Sequence, residues 1–192
     1  MIENWFCTPI YFEDLNEKDF KSVQSEVKSL LKIAEFTKRN NWGTNNHSLT
    51  SPMFDTNILQ EYEAFKFLSI IKQNAVKYVT NLNGFCDYDI DITTSWITKT
   101  LKGEYALPHA HGDSDIAGVY YFQSNGADGS INFVNPSPAL EATKLRGSQV
   151  KQVEYKPEVG RIILFPGWLM HYVTENQTDS ERVSVSFNIT LK

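Results

Sequence analysis

The chain of 192 residues carries 41% hydrophobic and 13% aromatic side chains, with a formal charge of −5. That length and apolar share suit one folded domain with a sizeable core and exclude a disordered chain. The acidic balance argues against a nucleic-acid backbone or an anionic membrane as main partner, and no apolar run reaches the roughly 18 residues a membrane helix needs.

The first residues, Met1-Ile2-Glu3-Asn4-Trp5, lack the basic and then apolar stretch of a signal peptide. Cys7 and Cys86 lie far apart and outside any ligand spacing. Reduced thiols and a cytoplasmic location are therefore expected.

A first helix is predicted over 16–34, where Phe20, Val23, Val27, Leu30, Leu31 and Ala34 recur at helical intervals. Asn16 is placed to cap it, with Asp19 in the first turn. Residues 36–56, rich in Asn, read as an irregular surface loop, and His47 within it reads as a solvated histidine. A second helix is predicted over 58–82, striped by Leu68, Ile71, Ala75, Tyr78, Val79 and Leu82, with Gly84 at its left-handed end.

From residue 89 the period becomes two, with Ile90 and Ile92 alternating with polar residues. Short strands are predicted over 95–101, 115–123, 130–134, 149–155, 160–165, 170–174 and 182–191, separated by turn residues. There is no internal repeat and no linker. The expected fold class is α+β and mostly β, a sandwich or barrel whose two helices cover one sheet face and leave the other free to form a cavity. One domain over 1–192 is expected, with helical support over about 1–84 and the β core over about 89–192.

Three of the four histidines fall in two short stretches, Pro108-His109-Ala110-His111-Gly112-Asp113 and Phe165-Pro166-Gly167-Trp168-Leu169-Met170-His171. Residues two apart in a strand point to one side, so either His109 with His111, or His111 with Asp113, can aim at one ion. Neutral imidazoles, with or without a carboxylate, suit a divalent iron that keeps positions open. The ligand set is thus His111 and His171 with either His109 or Asp113, and in the former case Asp113 or Asp115 orients an imidazole. Farther on, Arg182, Ser184, Ser186 and Asn188 share one face of an alternating strand. A guanidinium and a hydroxyl there match the far carboxylate of a dicarboxylate co-substrate.

The run Gly160–His171 followed by Arg182-Val183-Ser184-Val185-Ser186-Phe187-Asn188 resembles the 2-oxoglutarate/Fe(II) oxygenases of bacteria and phages. So do Ser95-Trp96, His109-Ala110-His111 and Gly118-Val119-Tyr120-Tyr121, and the likeness spans about residues 95–190. It implies a double-stranded β-helix (jelly-roll) core, Fe(II), 2-oxoglutarate and O2. It further implies oxidative decarboxylation to succinate and CO2 coupled to hydroxylation, with Arg182, Ser184 and Tyr121 on the 2-oxoglutarate carboxylate. That family commonly continues His-x-His with Pro-x-Ser, where this chain has Gly112 and Asp113, so its comparison favours His109 while the general facial-triad pattern favours Asp113.

Two rival readings stand beside this one. A cupin-type metalloenzyme without 2-oxoglutarate would use Gly103, His109 and His111, with Asp115 for the usual Glu and Trp168 where a Gly is expected. A jelly-roll binding module would have lost catalysis. The expected substrate is a small molecule or a peptide side chain. Loops 36–56 and 135–149 are the candidate covers of the site.

Overall fold

The computed structural model describes residues 7–39, 44–45, 47–50, 56–137 and 151–192; residues 39, 44–45 and 47–50 are described by backbone alone. Strand β1 (Tyr11–Asp14) leads into helix α1 (Glu17–Leu30), then β2 (Phe36–Arg39), β3 (Thr44–Asn45) and β4 (His47–Thr50). Helices α2 (Ile58–Glu61) and α3 (Phe65–Asn83) follow. The rest is β: β5 (Ile90–Thr100), β6 (Tyr105–His109), β7 (Ile116–Gln123), β8 (Ile131–Val134), β9 (Gln152–Tyr155), β10 (Arg161–Pro166), β11 (His171–Val173) and β12 (Arg182–Leu191).

These strands make two sheets, ordered β1-β10-β7-β12-β5-β4-β2 and β3-β6-β11-β8-β9, antiparallel at every ladder. This is the expected α+β, mostly β double-stranded β-helix. Alternation on the central strands sorts side chains into two cores. Val183, Val185 and Phe187 of β12, with Ile162 and Leu164 of β10 and Tyr120 of β7, meet Val23, Val27, Phe67, Ile71 and Ala75 of the helices. Burial of each such large side chain contributes about 1.5–3 kcal/mol. Ala117, Val119, Tyr121, Ile163 and Phe165 point the other way and pack with Ile131 and Phe133 between the sheets. Gly118 allows the first layer to close, since a Cβ there would lie 2.3 Å from the Phe187 ring.

The predicted cap of α1 is present: Asn16 accepts from the Asp19 amide at 3.1 Å. Three expectations are corrected. The 58–82 helix is two helices, because Glu63 takes a left-handed φ of 56° and the chain restarts at Phe65. The new N-terminus is capped from another element, as Glu26 of α1 accepts from the amides of Lys66 at 3.1 Å and Phe67 at 2.8 Å. Within 36–56, where an irregular loop is expected, the described segments are strands: β2 and β4 extend the larger sheet and β3 pairs with β6 in the smaller one, while residues 40–43, 46 and 51–55 lie outside the described residues. Finally, the alternation from Ile90 belongs to the same strand as 95–100. A bulge opposite Asn188/Ile189 adds Thr93 and reverses the phase, so that Ile90 and Ile92, then Ile97, face the helices. Loop 135–149 lies mostly outside the described residues.

Candidate metal and co-substrate site

The register of β11 places His171 opposite His109 of β6. Their ring centroids are 4.3 Å apart, and those of His111 are 5.3 Å from His109 and 5.2 Å from His171. The ligand atoms of the three imidazoles lie within 4.8 Å of one another. No other such group occurs among the described residues. Asp113 is exposed and outside this group. Asp115 is exposed as well; its carboxylate accepts from the Leu191 amide at 2.8 Å. The structure therefore brings His109, His111 and His171 together and leaves out both aspartates, including the one the cupin reading requires.

Each strand-borne imidazole is fixed by the carbonyl two residues earlier. His109 Nδ1 donates to Leu107 O at 2.7 Å, and His171 Nδ1 donates to Leu169 O at 2.9 Å. A carbonyl only accepts, so Nδ1 carries the proton and Nε2 carries the lone pair, the atom through which each ring could ligate a metal. Burial holds all three below the usual histidine range, His111 at about 4 and His171 at about 3, with repulsion from neighbouring rings adding to the effect at His111 and His171. Neutral imidazoles are the ligating form, so near neutral pH no proton competes with a cation.

His111 sits beyond β6 in a turn that clasps the turn before β11. Its amide donates to Gly167 O at 2.7 Å, and the Gly167 amide donates back to Asp115 O at 3.0 Å. The turns are close enough that a Cβ on residue 167 would lie 2.0 Å from Ser114 O and 2.7 Å from His111 O. Only glycine fits there.

The three histidines share a cavity with Trp96, Thr98, Tyr121, Arg182, Ser184 and Ser186. The ladder sets Ser184 against Thr98 and Ser186 against Trp96, so the polar face of β12 does line the cavity. Arg182 is buried. One terminal nitrogen donates to the carbonyls of Asp128 at 3.0 Å and Gly129 at 2.6 Å, the other to Thr100 Oγ1 at 3.0 Å. Among the described residues its Nε has no partner and no carboxylate forms an ion pair with it. The buried Asp128 carboxylate is turned instead to Ser124 Oγ and the Asn125 amide. Tyr121 is buried beside the guanidinium; burial pushes its phenol up to about 12 against the opposing pull of Arg182.

Several members of this arrangement have no functional signal in the sequence. Thr98 and Thr100 acquire their place from the β5–β12 register. Gly129, at φ 102°, leaves room for Arg182, since a Cβ would stand 2.8 Å from its terminal nitrogen. Asn176, fully buried, bonds the carbonyls of Thr100 and Ser180 and so ties the loop before β12 to the end of β5.

Residues 94–188 match the family model described as "Putative 2OG-Fe(II) oxygenase". No curated protein sequence matches the chain significantly. Among solved structures, the fold is similar to the non-heme alpha ketoglutarate dependent epimerase SnoN from nogalamycin biosynthesis (TM-score 0.68, 12% identity, 95% of this chain and 78% of that one). It is similar also to a Pseudomonas putida prolyl-4-hydroxylase (0.63, 12%, 96% and 94%). A third is HygX from Streptomyces hygroscopicus with nickel, 2-oxoglutarate and hygromycin B bound (0.58, 12%, 95% and 83%). At these identities the likeness is one of fold.

Proposed function

The chain belongs to the 2OG-Fe(II) oxygenase family, and from that premise we propose that His109, His111 and His171 hold its iron, that Arg182 and Ser184 hold the far carboxylate of 2-oxoglutarate, and that the reaction is a hydroxylation. The iron is Fe(II), and 2-oxoglutarate and O2 are the co-substrates of this family. Residues 1–192 act as one oxygenase-like domain in the cytoplasm, on a small molecule or a peptide side chain. No described helix is long and apolar enough to cross a membrane.

The residues present fit these groups. Three neutral imidazoles with nitrogen lone pairs are borderline donors suited to Fe(II). The observation that carries the reading is Arg182: a buried guanidinium that, among the described residues, is hydrogen-bonded only to neutral acceptors and has an unpartnered Nε. A buried charge without an ion-paired carboxylate is costly, burial outweighs the favourable field of the nearby Asp128, and an anion entering beside Arg182 would offset that cost. A cupin reaction without a dicarboxylate gives Arg182 no such partner, and a module that had lost catalysis has no use for three preformed ligands.

When bound, iron with 2-oxoglutarate and oxygen supplies oxidising power through decarboxylation to succinate and CO2. The protein's part is orientation and shielding. Leu107 and Leu169 carbonyls fix two imidazoles, and the acceptors around Arg182 fix its fork before any ligand arrives. Ser184 and Thr98 offer hydroxyls beside it, and Tyr121, protonated throughout the physiological range, can donate. Ile131, Phe165 and Val173 wall the cavity with apolar surface and exclude water. Three neutral ligands would leave the metal's charge unneutralised, so an anionic co-substrate would be drawn both to it and to the Arg182 guanidinium.

The hydroxylase reading draws support from the Pseudomonas putida prolyl-4-hydroxylase, whose own length this fold covers at 94%. Succinate release on incubation with Fe(II), 2-oxoglutarate and O2 tests the oxygenase; none, with the metal bound, sinks it. A product lacking one added oxygen would reassign the reaction type.

A further inference from the structure

The three imidazoles are not held alike. His109 and His171 each give an Nδ1 proton to the carbonyl two residues earlier, while the His111 ring has no hydrogen-bond partner in the described structure. Its backbone is secured, by the amide bond to Gly167 O and by the Ser114 amide donating to His111 O at 3.1 Å. Backbone bonds leave rotation about the side-chain torsions free, and an unanchored imidazole can turn its lone pair away from the cluster.

What faces that ring is Trp96. The indole stacks on His111 with centroids 5.8 Å apart and 28° between planes, and His171 stacks at 5.2 Å and 14°. Trp96 is itself buried on β5, opposite Ser186 of β12 in the ladder, so its position is set by the larger sheet. The smaller sheet carries His109 and His171, through β6 and β11.

We propose, on the basis of the three-histidine reading above, that Trp96 is the positioning residue of the third ligand. Ring stacking from the larger sheet does for His111 what the Leu107 and Leu169 carbonyls do for its neighbours. The indole restricts the imidazole to rotations within the stack, so the ligand plane is defined before a cation arrives. The metal site then depends on the spacing of the two sheets, since two ligands belong to one sheet and the support of the third to the other.

The test is metal affinity in variants with no change of donor atoms. W96F keeps a planar face, while W96L and W96M keep bulk without one. Titration with Co(II), followed by calorimetry and by the visible bands of the bound ion, should leave W96F within a few fold of the parent. W96L and W96M should bind about 10-fold or more weakly, with changed Co(II) bands and unchanged circular dichroism. Equal affinity in parent and W96L, or in W96M should W96L not fold, overturns the proposal. The unsubstituted, metal-free protein gives a second reading: the His111 ring protons should show upfield ring-current shifts in its NMR spectrum, and ordinary shifts would refute the stack. Retained affinity in H111A would instead overturn the three-histidine site, a distinguishable failure.

Discussion

His109 and His171 are direct partners across the β6–β11 ladder, with ring centroids 4.3 Å apart. This pairing makes the first half of the histidine cluster a product of strand register, and Asp113, exposed beyond the strand, lies outside that cluster. H109A, H111A and H171A should each weaken Co(II) or Mn(II) binding by at least about 100-fold, because each removes a ligand from a set of three. D113A should leave it unchanged. Calorimetric titration of the four proteins decides, and a loss in D113A equal to that in H109A would restore the carboxylate triad.

Gly167 predicts a loss without touching a ligand atom. A methyl group there meets Ser114 O and His111 O at impossible distances, so the two ligand-bearing turns must part. G167A should cost about 1–3 kcal/mol of stability, the usual range for an overpacked site. Its metal affinity should fall as well, since His111 moves with its turn. Urea denaturation and metal titration measure the two effects, and parent-like metal binding in G167A would show that the clasp does not set the ligand geometry.

Arg182 should govern the co-substrate and leave the metal alone. A hydrogen bond to a charged group is worth about 1.5–3 kcal/mol. R182A should thus raise the Kd for 2-oxoglutarate at least about 10-fold, abolish the thermal shift it gives in the presence of Mn(II), and leave the shift given by Mn(II). R182K should recover little, because a lysine ammonium cannot bridge Asp128 O, Gly129 O and Thr100 as the fork does. A full 2-oxoglutarate shift in R182A would remove Arg182 from its role.

What could be read in advance follows from how local each signal is. The β12 alternation, the Asn16 cap and Gly84 at the end of α3 are contained in a few consecutive residues, and all are as expected. His111, His171 and Arg182 stand out because their residue types are rare and their order along the chain is informative. Thr100 and Gly129 matter only through Arg182 on another strand, and no spacing announces them; Trp96 and Gly167 lie within motifs of the family resemblance, but their contacts with His111 are not legible there. The β5 bulge hid one strand as two by reversing its phase at Thr93. The described segments of 36–56 form strands because β5 and β6 offer open edges, a tertiary influence that propensity does not register. The helix break at Glu63 is of the same kind, since the cap that permits it comes from α1.

That cap yields a prediction confined to stability. Ala64 offers no capping side chain to α3, and the Glu26 carboxylate, accepting from the Lys66 and Phe67 amides, takes its place. A negative charge at a helix N-terminus also opposes the positive end of the helix dipole favourably. E26A should cost about 1–2 kcal/mol, a fall in Tm of about 2–8 °C for a chain of this size. E26Q keeps one acceptor and should lose less. Because α3 packs on the face of the larger sheet away from the cavity, both variants should bind Mn(II) and 2-oxoglutarate as the parent does. An unchanged Tm in E26A would mean that the exposed first turn of α3 is satisfied by water, and a lost ligand response would mean that the helical layer and the cavity are coupled.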